Sequence, residues 1–168
     1  NFAGSQYVTV PDHAALDMTD DLTLSTWVYM NSANTNNGII YKGSLASSQG
    51  VYSLIVGNGS ISKVLFRLNG SISEDSGQLT SATTLSAATW YHVIATYSKS
   101  LGKMRIYING VLDGENSYST SISTDANNLY LGCYYSSSFC LNGRMDQIKV
   151  YNFALSPSEV LVDANAGS

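Results

Sequence analysis

Residues 103–110 read Lys-Met-Arg-Ile-Tyr-Ile-Asn-Gly, and this stretch decides the fold class. Met104, Ile106 and Ile108 occupy alternate positions with polar or amphipathic side chains between them, which is the pattern of a strand with one buried face. The pair Asn109-Gly110 tolerates positive φ at both central turn positions and is typical of a two-residue β-hairpin. The stretch therefore predicts paired antiparallel strands.

The same strand pattern extends in both directions from this hairpin. Short segments rich in β-branched and aromatic residues are bounded by clusters of Gly, Asn, Ser and Asp. Predicted strands cover residues 7–10, 22–30, 38–41, 51–56, 64–68, 90–97, 104–108, 129–131 and 145–151. The pairs Asn58-Gly59 and Asn69-Gly70 predict further hairpin turns.

One helical signal occurs near residue 156. Ser156 stands at the N-cap position, Pro157 at the first helical position and Glu159 three residues after the cap, a combination that favours a helix start. We expect a short C-terminal helical turn and not a packed layer. Many short strands with almost no helix predict an all-β protein, a single two-sheet antiparallel sandwich over residues 1–168.

The composition excludes several classes of protein. The 168-residue chain has a formal net charge of -4, and only 12% of its residues are charged, against roughly 25% in an average soluble domain. Eight Lys and Arg residues at a pI near 4.8 cannot make a phosphate-binding surface, so nucleic acid is excluded as a partner. An aromatic content of 11% excludes disorder. No apolar run reaches the length of about 18 residues that a membrane span needs, so we expect no membrane partner.

Cys133 and Cys140 lie close together in the sequence. A zinc site would need tighter spacing and more ligands than His13 and His92 supply. Two readings remain: a disulfide that closes a short loop, which is the simpler, and two free thiols. A disulfide implies an oxidising compartment. With the low-charge composition it predicts a secreted or cell-surface protein, of which any leader was either removed or left out of the given sequence.

Six segments follow one another in the order and spacing of a known family. They are 2–8 (Phe-Ala-Gly-Ser-Gln-Tyr-Val), 22–28 (Leu-Thr-Leu-Ser-Thr-Trp-Val), 90–97, 105–110, 131–132 and 142–156. Together they resemble the laminin-G-like, concanavalin-A-like jelly rolls found as accessory modules of secreted bacterial proteins. The resemblance covers essentially the whole chain and implies two antiparallel sheets, one concave and one convex. Tyr91 and Gln147 depart from the family, which often has a second His and a second acid there.

The number and spacing of the glutamates argue against catalysis. The polysaccharide hydrolases of this fold carry a Glu-x-Asp-x-x-Glu arrangement, which aims alternate carboxylates into one groove. The three glutamates here, Glu74, Glu115 and Glu159, do not stand in that arrangement. The sequence has no Gly-x-Ser-x-Gly element, which would carry a serine for His92 to activate. His92 is therefore interpreted as a hydrogen-bonded strand residue. The sequence therefore predicts a protein that is not an enzyme.

Asp146 is the acid of greatest interest, since it begins a predicted strand where an unpaired buried carboxylate would be costly. The resemblance implies a structural Ca2+ near this aspartate and the opening Phe-x-Gly segment. The Gly4 carbonyl would then be a ligand and Asp20 a weaker candidate. The alternative is an aspartate that accepts hydrogen bonds from neighbouring backbone N–H groups.

The segment between the cysteines contains three aromatic residues, Tyr134, Tyr135 and Phe139. Sugars present apolar C–H faces that stack on aromatic rings, and a rigid loop lowers the entropy cost of binding. We expect a carbohydrate site here. Sugar hydroxyls would be held by polar residues at strand ends or loops: Asn36, Asn37, Lys42, Arg67 and Asn69. The alternative is that one or two rings, Phe139 above all, fold back as a lid on the core.

A second candidate carbohydrate site combines Arg105 and Tyr107, which share one strand face, with Tyr52 if its strand is a neighbour. The alternative is ordinary packing of tyrosines on a sandwich face. Trp27 and Trp90 are expected in the core.

These observations predict a non-catalytic carbohydrate-binding module that tethers a larger secreted enzyme or adhesin to a polysaccharide. Binding would use ring stacking and hydrogen bonds. The scarcity of basic residues favours a neutral glycan, although Lys42 and Arg67 together would suit one acidic sugar. The alternative is a calcium-stabilised adhesion or protein-interaction module of a cell-surface protein, which would need a larger and more continuous surface.

Overall fold

The computed structural model describes residues 1–32, 37–47, 50–57, 62–71, 76–134 and 136–166, with the backbone alone for residues 136–138. In chain order its strands are β1 (Phe2–Ala3), β2 (Val8–Val10), β3 (Asp21–Met30), β4 (Asn37–Lys42), β5 (Tyr52–Val56), β6 (Lys63–Leu68), β7 (Gln78–Thr84), β8 (Trp90–Ser98), β9 (Lys103–Ile108), β10 (Val111–Ser117), β11 (Leu129–Leu131), β12 (Cys133–Tyr134), β13 (Ser136–Cys140) and β14 (Asn142–Tyr151). A 3₁₀ turn (Ala14–Leu16) follows β2, and helix α1 (Pro157–Asn165) follows β14.

The strands form two sheets packed face to face. The first sheet has the order β1-β14-β3-β8-β9-β10, with every neighbouring pair antiparallel. The second has the order β12-β13-β4-β5-β6-β7, with β11 pairing both β4 and β2. One parallel bridge, between Cys140 and Gly38, interrupts its antiparallel pattern. The predicted two-sheet antiparallel jelly-roll sandwich is confirmed.

The main core lies between the sheets and takes every second residue of the central strands. In β5, Tyr52, Leu54 and Val56 belong to this core, while Ser53 and Ile55 point to the other face of the sheet. The Asn109-Gly110 turn has positive φ at both residues, 52° and 79°, which confirms the predicted hairpin between β9 and β10. The Asn58-Gly59 pair lies outside the described residues.

Both tryptophans lie on the outer face of the first sheet, so the expectation that they belong to the core is wrong. Leu24, Val28 and Met30 fill the inward positions of β3, which turns Trp27 outward. In β8 the same inward–outward alternation turns the Trp90 side chain outward, where 38% of its surface is exposed. The aromatic character of these two side chains therefore does not predict that they are buried. Their position in the inward–outward alternation of the strand predicts that they are not in the core.

Helix α1 begins as predicted and is longer than predicted. Ser156 Oγ accepts a hydrogen bond from the Glu159 backbone N–H, and Glu159 Oε2 accepts one from the Ser156 backbone N–H, forming a capping box. Helix α1 is a single short helix, as expected, and its Val160 packs against Ile94 and Tyr107 on the outer face of the first sheet. Among the described residues, no helix combines the length and apolar character needed to cross a membrane.

Candidate functional site

The outer face of the second sheet carries a small apolar cluster of its own, separate from the main core. Its buried members are Tyr41, Ile55, Leu65 and Tyr134, from strands β4, β5, β6 and β12. Partly buried residues pack against it: Leu45, Tyr130 and Phe139. Apolar side chains on the face of a sheet away from the core must be shielded from solvent. Here the strands β12 and β13 shield them.

The cover is the hairpin of β12 and β13, closed by a disulfide between Cys133 and Cys140, which stand opposite each other in the register. The predicted disulfide is confirmed. The hairpin lies directly on β4, where a Cβ on Gly38 would fall 2.1 Å from the Tyr134 backbone nitrogen. Only glycine permits this approach, so Gly38 decides where the hairpin rests.

A guanidinium is held in a fixed orientation beneath this hairpin. Arg67 Nε donates to Gln78 Oε1 at 2.7 Å, and its NH1 donates to the Tyr134 hydroxyl at 3.0 Å. The Tyr134 ring in turn contacts the edge of Tyr41, with ring centroids 5.0 Å apart at 79°. Burial raises the pKa of the Tyr41 hydroxyl above its usual value. We call Arg67, Gln78, Tyr134 and Phe139 the Arg67 site.

The Arg67 site can bind hydroxyl groups. Arg67 is half-buried, and the orientation of its guanidinium is already set by two hydrogen bonds. Phe139 is a partly buried ring that packs on the same outer apolar cluster as Tyr134. The described polar side chains of this face include Ser53, Arg67, Gln78 and Thr80, and none of these four is a carboxylate. The arrangement suits hydrogen bonding to a polyol and offers no carboxyl pair for acid–base chemistry.

The aromatic residues of the hairpin do not act as predicted. Tyr134 is only 5% exposed and packs on Tyr41, so its ring offers no face for sugar stacking, and its role is to hold Arg67. Phe139 folds back, as the alternative stated, but onto the outer apolar cluster and not onto the main core. Tyr135 and Asn36 lie outside the described residues.

Lys42 is fully buried, and its predicted contact with a sugar is wrong. Its ammonium is enclosed by oxygens: Asp12 Oδ1 at 2.8 Å, Asp125 Oδ1 at 2.9 Å, and the carbonyls of Asp125 and Asn127 at 3.0 and 2.6 Å. Asp17 stands 3.8 Å away. Burial alone would lower the pKa of Lys42, but its hydrogen bonds with Asp12 and Asp125 outweigh burial and raise it. We call this arrangement the Lys42 cage.

Two predicted asparagines also serve the fold. Asn37 is 1% exposed, and its side-chain oxygen accepts from the Asn142 backbone N–H at 3.4 Å. Asn69 donates to the Tyr118 hydroxyl at 2.9 Å and accepts from the Ser123 N–H at 2.7 Å, which ties the β6 end to a loop. Neither amide is presented to a ligand at the Arg67 site.

The second predicted site does not assemble. Tyr52 is fully buried in the main core on β5 of the second sheet, and its hydroxyl donates to the Leu16 carbonyl at 3.2 Å. Arg105 and Tyr107 lie on β9 of the first sheet, on the opposite side of the sandwich. Arg105 pairs with Glu115 at 2.7 Å, and Tyr107 is buried beneath helix α1. The condition that β5 and β9 be neighbours is not met.

The three predicted calcium ligands lie far apart. The Gly4 N–H donates to the carbonyl of Leu141, the residue before β14, and Leu141 and Asp146 are five residues apart, about 16 Å in an extended strand. Asp146 stands opposite Trp27, seven positions beyond Asp20 along β3. Across the described ranges, no three His, Cys, Asp or Glu side chains form a group that could hold a metal ion. The residues present do not fit the predicted site.

Two of these carboxylates have other partners. Asp146 Oδ1 accepts a hydrogen bond from the Gln147 backbone N–H at 2.8 Å, as the alternative to calcium described. Asp20 forms an exposed ion pair with Lys99 at 2.8 Å. Calcium binding itself stays a prediction.

A serine, a histidine and an aspartate do meet, under helix α1. Ser25 Oγ lies 3.2 Å from His92 Nε2 and donates to Asp163 Oδ2 at 2.5 Å, and Asp163 Oδ2 lies 3.5 Å from the same nitrogen. In a catalytic triad the serine and the acid contact opposite ring nitrogens. Here His92 Nδ1 has no partner within the described residues. The cluster joins Asp163 of helix α1 to the first sheet, and Lys149 also pairs with this carboxylate.

Sequence reasoning missed Gln78 and Tyr41. Gln78 lies in β7, whose Gln-Leu-Thr-Ser-Ala-Thr-Thr sequence lacks the apolar alternation of a strand. Tyr41 was assigned to a strand without a role. The Arg67–Gln78 pairing in the β6–β7 register brings the amide to the guanidinium, and no local signal reports that.

Comparisons with known proteins agree with the fold. The family model for the concanavalin A-like lectin/glucanases superfamily matches residues 2–161. No curated protein sequence matches the chain. A candidate carbohydrate-binding protein from Bacteroides ovatus has a similar structure, with a TM-score of 0.74 and 18% identity over 92% of this chain and 43% of that one.

Two further solved structures are similar. Domain 4 of AbnA, a GH43 extracellular arabinanase from Geobacillus stearothermophilus solved with arabinotriose, has a TM-score of 0.70 and 19% identity over 97% of this chain and 74% of that one. Botulinum neurotoxin type C, whose cell entry depends on two ganglioside molecules, has a TM-score of 0.65 and 16% identity over 96% of this chain and 40% of that one. The chain thus spans under half the length of two of these three neighbours.

Proposed function

The chain belongs to the concanavalin A-like lectin/glucanases superfamily, and we propose that it is a non-catalytic carbohydrate-binding module. The fold and its neighbours are those of lectin-like, carbohydrate-binding proteins. The superfamily also includes glucanases, so the fold alone does not choose between binding and hydrolysis. The choice rests on the side chains of the candidate site.

The observation that carries the proposal is the fixed guanidinium of Arg67. Arg67 is half-buried, and its hydrogen bonds to Gln78 and Tyr134 leave it few rotamers to lose, so a ligand hydroxyl meets a donor that is already oriented. None of the four described polar side chains of this face named above is a carboxylate. That set of groups supports binding over bond cleavage.

A neutral glycan suits this face better than an acidic one. Lys42 is enclosed in its cage, which leaves Arg67 as the cation among the described side chains of the site. The whole chain carries a net charge of -4, and this disfavours the approach of polyanions. A shallow site of this kind gives dissociation constants in the micromolar to millimolar range.

We place the module outside the cytosol, as part of a longer protein that it tethers to a polysaccharide. The disulfide of the β12–β13 hairpin supports an oxidising compartment. Neighbours of which the chain spans 43% and 40% support a modular context.

The decisive experiment is affinity gel electrophoresis against neutral and acidic polysaccharides, including arabinan. Arg67→Ala is expected to weaken retention by a neutral polysaccharide about 10- to 100-fold, since a charged hydrogen-bond donor contributes about 1.5–3 kcal/mol. Arg105→Ala is the matched control, because it removes the same group from the other sheet. Equal retention of Arg67→Ala and wild type would show that the Arg67 site is not the binding site.

An adhesion module is the second candidate function. Exposed apolar residues at helix α1 and the β9–β10 turn favour it: Val162 is 71% exposed, Leu161 51% and Val111 67%. Leu161 lies beside the turn, 3.2 Å from a Cβ built on Gly110. If wild type binds no glycan and Val162→Asp alters its self-association in sedimentation velocity, adhesion replaces carbohydrate binding as the proposal.

A further inference from the structure

The outer face of the first sheet is divided into a covered half and an open half. Helix α1 covers one half, where Val160 packs on Ile94 and Asp163 reaches Ser25. The other half lies nearer the Met30 end of β3 and is built by strands β14, β3 and β8. None of its residues belongs to the Arg67 site, because it stands on the opposite side of the sandwich.

The open half consists of two rows of side chains that run across the three strands. The register places Arg144, Tyr29 and Trp90 side by side in the outer row. The Tyr29 and Trp90 rings lie 5.5 Å apart at 53°, and the Arg144 guanidinium stacks over Tyr29 at 5.2 Å. Trp90 and Arg144 are exposed, and Tyr29 is half-buried.

The inner row consists of Asp146, Trp27 and His92, again in register. Trp27 is half-buried and packs against His92 with ring centroids 5.0 Å apart. Asp146 is exposed, and a β-bulge follows it, where Gln147 has a φ of 49°. We call the five residues Tyr29, Trp27, Trp90, Arg144 and Asp146 the aromatic platform.

The polar groups of the platform make few hydrogen bonds or ion pairs with the described part of the protein. Within the described residues, Arg144 makes no hydrogen bond or ion pair, and Asp146 uses only Oδ1, on the Gln147 N–H. The Trp27 indole Nε1 is buried with no acceptor in the described part of the chain.

We propose that the aromatic platform is a second carbohydrate site, which takes one sugar ring of a neutral oligosaccharide. The apolar C–H face of the ring stacks on Trp90 and Tyr29. Its hydroxyls bond to Arg144 and to Asp146, which stand two residues apart on one strand face, about 7 Å. One donor group and one acceptor group of opposite charge match a neutral polyol, which has both donors and acceptors and no net charge.

The size of the open half favours a sugar over a protein partner. A stable protein interface buries about 800 Å² on each side and involves 20–30 residues. The platform is three strands wide and two rows deep, and helix α1 bounds it. With the Arg67 site on the opposite face, the module has two glycan sites and can bridge two chains of a polysaccharide.

The chain offers an unusually clean probe of this proposal. It contains two tryptophans, and both are in the platform. Intrinsic tryptophan fluorescence therefore reports on the platform, while affinity gel retardation with Arg67→Ala reports on the Arg67 site. The probes are neutral gluco-, xylo-, manno-, galacto- and arabino-oligosaccharides, titrated into wild type, Arg144→Ala, Asp146→Asn and Arg67→Ala.

We expect a saturable fluorescence change with at least one oligosaccharide, an unchanged response in Arg67→Ala, and an apparent Kd raised about tenfold in Arg144→Ala and Asp146→Asn. Both variants change exposed residues, so they are expected to fold, and circular dichroism checks this. Phe153→Ala, an exposed aromatic beside helix α1, is the control and should bind as wild type does.

Three results would overturn the proposal. The first is no fluorescence response to any of these sugars, even where gel retardation shows binding that depends on Arg67. The second is a response that Arg67→Ala abolishes or that both platform variants leave unchanged. The third is self-association of wild type that Trp90→Ala removes in sedimentation velocity, which would assign the face to a second copy of the chain. A failure of the platform therefore does not count against the Arg67 site.

Discussion

Replacing Lys42 with methionine tests whether this buried lysine serves the fold or a ligand. Met keeps most of the length of the side chain and removes the charge that the Lys42 cage encloses. The change leaves three carboxylates, of Asp12, Asp17 and Asp125, around an apolar group. We expect a large loss of stability and, in the folded fraction, an unchanged affinity for glycans.

The magnitude follows from the distances. Contacts of 2.8 Å to Asp12 and 2.9 Å to Asp125 correspond to about 6 kcal/mol each at an effective dielectric constant near 20. Burying the ammonium costs several kcal/mol, and removing one partner of a buried pair typically costs about 3–5 kcal/mol. The aspartate side chains keep 31% and 24% of their exposure, so solvent screens part of the interaction. We expect a loss of about 3 kcal/mol.

The assay is equilibrium unfolding in guanidinium chloride at neutral pH, with the slope of the transition as a check that both states are unchanged. In thermal unfolding the same loss corresponds to a fall in Tm of roughly 6–12 °C. Lys99→Met is the matched control, because Lys99 pairs with Asp20 at 2.8 Å on the surface with side chains 39% and 65% exposed. It is expected to cost under about 1 kcal/mol.

The pH dependence gives a second, independent check. Burial opposes ionisation of Asp125, but its hydrogen bond with Lys42 lowers the pKa of this carboxyl, so its contribution is present above the ordinary pKa and is lost as pH falls. The raised pKa of Lys42 keeps its contribution intact until alkaline pH. In Lys42→Met the crowded carboxylates repel, and protonation relieves them. The difference between the proteins should therefore shrink as pH falls towards 3.

A difference below about 1 kcal/mol at pH 7, or one that stays constant into acid, would refute this reasoning. Asp125→Asn added to Lys42→Met should restore part of the lost stability, because it removes one of the unpaired charges. A fall in glycan affinity without loss of stability would instead assign Lys42 to the binding site.

Three further outcomes are expected. Changing Cys133 and Cys140 to serine should lower the free energy of unfolding by about 2.4 kcal/mol in guanidinium titrations, since the disulfide closes a loop with a sequence separation of 7; equal stability of the oxidised and substituted proteins would contradict this. Acidification should loosen helix α1 before the sandwich unfolds, because burial lowers the pKa of His92 and, against the effect of burial, hydrogen bonds with Lys149 and Ser25 lower that of Asp163. The contribution of each group is present above its ordinary pKa and is lost as pH falls, first that of His92 below about 6.5 and then that of Asp163 below about 3.9. Hydrogen exchange in the helix should therefore rise below about pH 6.5, before exchange in the sandwich rises, and uniform exchange would count against the anchor. Chelation with EDTA tests the calcium prediction: a structural ion requires a fall in Tm that Ca2+ reverses and Asp146→Asn abolishes, and an unchanged Tm would contradict it.

The strands and their turns were predictable because their signals are local. The alternation around Met104 and the Asn109-Gly110 turn needed only neighbouring residues, and the structure confirms both. The capping box at Ser156 is local in the same sense. The polar strand β7 escaped because it is stabilised by pairing with β6 and not by an apolar pattern of its own.

The candidate sites were less predictable because residue type does not report exposure. Lys42 looked like a sugar ligand, yet three distant aspartates made its burial possible, from positions 30, 25 and 83 residues away in the chain. Tyr134 was predicted to stack on a sugar. Gly38 instead permits a close approach of the hairpin to β4, which packs the Tyr134 ring against Tyr41. Arg67 was correctly placed near Tyr134. The reason is a hydrogen bond between β6 and β12, which the sequence does not predict.

The sequence by itself determined the all-β sandwich and the scarcity of charge, and it favoured a disulfide between Cys133 and Cys140, because periodicity, turn chemistry and composition are properties of short segments. The tertiary structure alone decided which side chains meet. Strand register brought Arg144, Tyr29 and Trp90 into one open row and turned both tryptophans away from the core. Register depends on how whole strands pair, and a shift of one residue would exchange the two faces. Ligand chemistry in this protein is therefore set by pairing between strands distant in sequence.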